Sequence, residues 1–215
     1  MPVVNSPATR TGVFISHAHE DRQLAECLRK LLEQALGPDP APITCTSDHD
    51  RKHGLAPGGE LDQQIRARLD ATRVFILLAT HASSQSQWVH FECGHADAAS
   101  RRNEVQFYVV VPSDALGAHV PEPYSGKVRV DLSDGMAVHQ FVADVRPLLN
   151  SGHMPVGDHY IGALLELEHC SGVLERARIA ADRQKLQTTR GTVRVVKVVP
   201  PGKGPASVVL EVCGF

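Results

Sequence analysis

Trp88 and Glu92 stand four residues apart, a spacing that on a helix places both on one face, one turn from each other. Trp88 is the only tryptophan in the chain. An indole beside a carboxylate offers a flat stacking surface and lowers the dielectric around the charge. Cleavage of a glycosidic bond passes through an oxocarbenium-like centre, which such a carboxylate can stabilise or trap. The same spacing is also common on surface helices, with the Trp packed inward and the Glu solvated, so the pair alone leaves both readings open.

Other residue groups carry weaker chemical signals. His17 and His19 form an HxH, but no third ligand matches it among twelve scattered histidines, so local capping and solvation explain it better than a metal. Gly58-Gly59 could cradle a phosphate, yet the Lys-Ser/Thr of a P-loop is absent, and the glycines serve a turn. Pro201-Gly202-Lys203-Gly204-Pro205 joins two Val-rich runs and has no helix after it. Cys93, beside Glu92, has no visible His–Asp partner and reads as a small buried residue.

The elements that must position these groups alternate. Val13–Ile15 is an apolar strand running into the polar turn Ser16–Asp21. Leu24, Leu28, Leu31, Leu32 and Leu36 recur at helical spacing; Asp21 is a plausible N-cap, and Gly37-Pro38 ends the helix. Ile43–Thr46 has strand character and opens into a long polar loop, Ser47–Gly59; Leu61, Ile65 and Leu69 mark the next helix. Val74–Leu78 is apolar on both faces, as a central parallel strand requires. Ser84-x-x-Gln87 resembles a capping box for a helix running to about Ser100. Val105–Val111 is a further strand, Val128–Val130 a short edge strand, and Val138, Phe141, Val142, Val145 and Leu149 stripe a last helix.

Strands alternating with helices imply right-handed crossovers and a doubly wound α/β domain with a parallel sheet, over residues 10–150. Residues 151–215 form a C-terminal extension: a helix around Tyr160–Ala177, with Gly172 as its weak point, and a β-hairpin made of Thr192–Val199 and Ala206–Cys213. This segment is small for an independent core and is expected to pack on the first domain or on a neighbouring subunit. In a doubly wound sheet, ligands bind beyond the carboxyl ends of the strands. That rule brings together Ser16–Asp21, Ser47–Gly59 and Ser83–Glu92.

A net charge of −2, with no basic run longer than Arg101-Arg102, argues against a nucleic-acid partner. Apolar runs too short to span a bilayer and the absence of a signal-peptide pattern lead to the expectation of a cytoplasmic protein without a membrane partner. Five scattered cysteines without a CxxC fit reduced thiols better than a disulfide frame or a zinc site.

Taken together, three segments resemble the Toll/interleukin-1 receptor (TIR) domain family of bacterial type. Phe14-Ile15-Ser16-His17-Ala18-His19-Glu20-Asp21 is similar to the family's first box, F-I/L-S-[HY]-x-x-x-D. Leu55-Ala56-Pro57-Gly58-Gly59 resembles the Pro-Gly end of its BB loop, and Asp48 lies where that loop often carries an acidic residue. Ser86-Gln87-Trp88-Val89-His90-Phe91-Glu92 resembles S-x-W-x-x-x-E, whose glutamate is catalytic in members that cleave NAD.

The resemblance implies a flavodoxin-like sheet and an NAD glycohydrolase or cyclase that releases nicotinamide and ADP-ribose or a cyclic isomer. NAD would be a substrate, with no cofactor and no metal. By position, Glu92 is the catalytic carboxylate, and Ser16, His17 and Trp88 line the nicotinamide side. The Ser47–Gly59 loop, with Ser47 and Asp48, would close over the other end. It further implies self-association through TIR–TIR contacts, a role in antiphage defence, and in some members a separate effector that senses a cyclic product. The alternative within the family is a non-catalytic adaptor acting through TIR–TIR contacts.

Overall fold

The computed structural model describes residues 10–37, 41–46, 61–113, 120–149 and 158–172, together with the backbone of 192–199 and 207–213. The chain divides into two compact units, Met1–Gly172 and Val173–Phe215.

The first unit is built on five parallel strands: β1 (Gly12–Ser16), β2 (Ile43–Cys45), β3 (Thr72–Leu78), β4 (Gln106–Val111) and β5 (Val128–Asp131), in the order β2-β1-β3-β4-β5. The helices are α1 (Arg22–Leu36), α2 (Leu61–Ala71), the short α3 (His81–Gln85), α4 (Gln87–Arg101), α5 (Gly135–Leu148) and α6, over residues 158–172. This is the flavodoxin-like doubly wound order, and the direction of winding reverses between β1 and β3.

Register explains how the core is divided between the two faces. Phe14, Phe75 and Phe107 are direct neighbours across β1, β3 and β4, so alternation points all three to one side of the sheet. Phe14 and Phe75 stack with ring centroids 5.8 Å apart, and Phe107 meets Phe75 edge-on at 4.8 Å. Ile65 and Leu69 of α2 and Val89, Cys93, Ala96 and Ala99 of α4 close over this ladder. On the other strand parity, Tyr108 meets Phe141 of α5 at 5.0 Å. The leucine stripe of α1, Leu24, Leu28, Leu31, Leu32 and Leu36, is buried throughout. Gly37 ends α1 with φ 96°, a left-handed conformation that glycine adopts without a Cβ clash.

Two local expectations are corrected. Asp21 occupies the N-cap position of α1, but its side chain makes no capping bond. The carboxylate instead accepts a 2.5 Å hydrogen bond from Thr80 Oγ1, just beyond β3. The capping box is not Ser84-x-x-Gln87. Thr80 Oγ1 accepts from Ser83 N–H, Ser83 Oγ accepts from Thr80 N–H, and this pair opens α3. Ser86 then caps α4 through Val89 N–H. The expected helix therefore starts two residues later than its pattern suggested, and the short α3 precedes it.

Helix α6 packs with the first unit. Tyr160, Ala163, Leu167 and Cys170 are buried on one stripe, and Ile161 and Leu165 are exposed on the other side. Ser171 Oγ donates to the Pro112 carbonyl at 2.6 Å, and Lys30 of α1 pairs with Glu166 at 2.9 Å. The second unit contributes an antiparallel hairpin, β6 (Thr192–Val199) and β7 (Ser207–Cys213), with an irregularity between Val195 and Lys197. Among the described residues, no helix is long and apolar enough to cross a membrane.

Candidate functional site

β1, β2 and β3 all deliver their carboxyl ends to the point where the winding reverses, which is where a doubly wound sheet opens a crevice. Ser16 ends β1, Thr46 follows β2, and Thr80 lies two residues past β3. Ser16 has the same strand parity as Phe14 and therefore faces α4.

Glu92 meets it there. Val89, Glu92, Cys93 and Ala96 form the buried stripe of α4, and Glu92 has no exposed surface (0%). Ser16 Oγ donates to Glu92 Oε2 at 2.5 Å. Thr46 Oγ1 lies 3.0 Å from the same oxygen and 3.3 Å from Oε1. A hydroxyl has one proton to give, and Glu92 Oε2 is closer to Thr46 than the Ile15 carbonyl at 3.4 Å. Thr46 thus donates to Glu92 and accepts the His17 N–H at 3.2 Å. The carboxylate joins the ends of β1 and β2 to α4.

Burial dominates the electrostatics. Loss of water pushes the Glu92 carboxyl up to about 7, against the pull of the Ser16 and Thr46 hydroxyls. The same burial and hydroxyl contacts would serve either a reacting carboxylate or a structural one. Neighbouring Cys93 is buried and its thiol is pushed up, chiefly by desolvation, which suits packing rather than nucleophilic attack. Asp21, clasped by Thr80 beyond the end of β3, is raised by burial to about 6.

The other residues expected at the site are distributed differently. His17 is buried, and its Nδ1 lies 3.2 Å from the Ile15 carbonyl, which can only accept, so Nδ1 carries the proton. Trp88 is 44% exposed and meets Phe91 edge-on at 6.0 Å. Phe91 in turn lies under the Arg66 guanidinium at 5.1 Å. The common surface-helix arrangement is therefore inverted here: the glutamate is inside and the indole is outside. Ser47 and Asp48, with the rest of the expected loop to Gly59, lie outside the described residues. Among the described residues, no three His, Cys, Asp or Glu side chains come together to hold a metal ion.

Thr46 is the Glu92 partner that sequence reasoning missed. It is a hydroxyl immediately beyond the carboxyl end of β2, and that position was the available signal. Farther along, Asp97 ties α4 to Lys127 at 2.7 Å, and within the helix it pairs with Arg101 at 2.9 Å.

Replacing the Thr46 hydroxyl isolates its contribution. Thr46→Val removes one donor to a buried anion, worth about 1.5–3 kcal/mol. The Glu92 pKa is then expected to rise further, by about one unit or more. Infrared difference titration of the protonated carboxyl, with Glu92→Gln as the blank, measures it. An unmoved titration would mean that Thr46 does not hold the anion.

No curated protein matches the chain by sequence. The family model for the TIR domain matches residues 13–149, a span that takes in Glu92 and, but for Gly12, all five parallel strands. With that match over well over half of its length, and with the parallel sheet and helices of the fold in place, the chain belongs to the TIR domain family.

Proposed function

We propose that this TIR domain cleaves the nicotinamide–ribose bond of NAD, with Glu92 as the carboxylate that meets the developing ribosyl cation. The observation that supports this reading best is a buried glutamate, raised to about 7, at the switch point of the sheet. Nicotinamide bound in NAD carries positive charge and leaves as a neutral molecule, so its departure needs no general acid. One carboxylate can then suffice where ordinary glycosidases use two. The incoming pyridinium also lowers the Glu92 pKa again, because an opposite charge nearby favours the carboxylate. Substrate binding and deprotonation are thus coupled.

In this reading, Ser16 and Thr46 hold the anion in place, His17 walls the crevice from the β1 turn, and the exposed Trp88 ring offers a stacking face at the rim. Water captures the cation to give ADP-ribose, or a ribose hydroxyl captures it to give a cyclic isomer that a separate effector could sense in antiphage defence. NAD is consumed as a substrate, without a resident cofactor. TIR domains commonly self-associate. In this reading a fully buried Glu92 belongs to a resting state, which assembly of this chain with itself would open to substrate.

That closure also favours a second reading. A glutamate with no exposed surface that ties β1 and β2 to α4 can serve as a structural clamp in an adaptor that works only through TIR–TIR contact.

Purified chain incubated with NAD at low and high protein concentration, with nicotinamide followed by chromatography and mass detection, separates the two. Release that climbs more than proportionally with protein and disappears in Glu92→Gln is the expected result. Release that persists in that variant would reject the site. Silence in an assembled sample would favour the adaptor.

A further inference from the structure

Cys27 of α1 and Cys170 of α6 are 143 positions apart in sequence, yet their sulfurs lie 2.6 Å from each other. Both side chains are buried. This separation is well inside van der Waals contact and only about half an ångström beyond the ~2.05 Å of a disulfide.

The alignment belongs to a helix seam rather than to one rotamer. Three residues on from Cys27, Lys30 pairs with Glu166, four residues back from Cys170. Steps of three forward and four back are one turn each, in opposite directions, as antiparallel helices in contact require. Other contacts hold the same helix at both ends: Tyr160 Oη lies 3.4 Å from His139 Nδ1, and Ser171 donates to Pro112.

We propose that Cys27 and Cys170 are a reversible crosslinking site whose disulfide locks α6 onto α1 under oxidising conditions. This inference is independent of NAD cleavage. The oxidant is a low-molecular-weight disulfide. One protein thiolate attacks it, forming a mixed disulfide and expelling one small thiolate. The second protein thiolate attacks the protein sulfur of that intermediate and expels the other. Two protein thiols are oxidised to one disulfide, the small disulfide is reduced to two thiols, and the protons lost by the cysteines go to the leaving thiolates.

Burial, aided by the Cys170 contact, pushes the Cys27 thiol up to about 12, so the docked helix keeps it protonated and slow to react. Exchange therefore proceeds when α6 lifts away, and redocking presents the second sulfur. The bond would fix the helix from which residues 173–215 continue.

The 215-residue chain is taken through mild denaturant and back in oxidised glutathione, alkylated, and mapped by mass spectrometry without reduction. The expected product is a linked pair of peptides carrying Cys27 and Cys170, lighter than the two thiols by two hydrogens. Oxidised wild type is expected to melt several degrees above the reduced form, since the bond closes a very long loop. Cys170→Ala is expected to melt at one temperature with or without oxidant. Recovery of Cys27 and Cys170 as alkylated thiols after this cycle would overturn the proposal. So would linkage of either to Cys45, Cys93 or Cys213, or equal melting of oxidised and reduced wild type.

Discussion

At pH 8, Glu92→Gln is expected to unfold at a higher temperature than wild type while losing NAD cleavage by about three orders of magnitude. The two effects have one cause. Burial raises the folded-state pKa of Glu92 from 4.5 to about 7, so the folded protein binds this proton more tightly than the unfolded chain. Below the unfolded value, the group is neutral in both states and carries no penalty. Between the two values the penalty grows as pH rises, and above about 7 it is complete, at about 3 kcal/mol. Glutamine removes the charge and keeps an oxygen for Ser16 and Thr46. Its advantage is expected to be about 5–10 °C at pH 8 and to vanish near pH 4.5. Asp21 is raised in the same direction, so a shallower fall in stability with pH remains in the variant. Calorimetry across this range measures both slopes. Parallel curves for the two proteins would show that Glu92 is not a strained anion. In kinetics, kcat/KM is expected to rise with pH through about 7, because the carboxylate is the working form.

The largest expected loss of stability follows from Phe75→Ala. Phe75 has no exposed surface and sits at the centre of the ladder, stacked on Phe14 and edge-on to Phe107. Truncation removes buried apolar area, leaves a cavity between two rings, and ends two aromatic contacts. About 3–5 kcal/mol is the expected cost, a large part of the 5–15 kcal/mol typical of a folded domain. Phe75→Leu, which refills much of the space, is expected to recover more than half. Urea unfolding followed by circular dichroism measures both. A cost below about 1 kcal/mol for alanine would show that the ladder is not the centre of the core.

The sequence by itself determined the elements whose signals are local. The leucine stripe of α1 and the wholly apolar β3 report their burial directly, because a side chain's hydrophobicity acts wherever the chain takes it. Alternation of strands and helices was enough for a parallel doubly wound sheet, because crossover handedness leaves few topologies. Box-like spacing around Ser16 and Glu92 singled out the two groups that meet at 2.5 Å. Even the inward turn of Glu92 had a signal, since Val89, Cys93 and Ala96 bracket it on one stripe.

Only the tertiary structure decided what depends on meetings between distant segments. Thr46 looks like any strand-end hydroxyl until β2 is placed beside β1 and opposite α4. Asp21 satisfies the local pattern of an N-cap, yet a distant Thr80 offers its carboxylate a better donor than the helix does. Cys27 and Cys170 carry no spacing that links them; packing of α6 on α1 alone brings their sulfurs together. The raised pKa of Glu92 likewise depends on the assembled fold, because desolvation comes from every element that closes around the carboxyl and no short stretch of sequence contains them all.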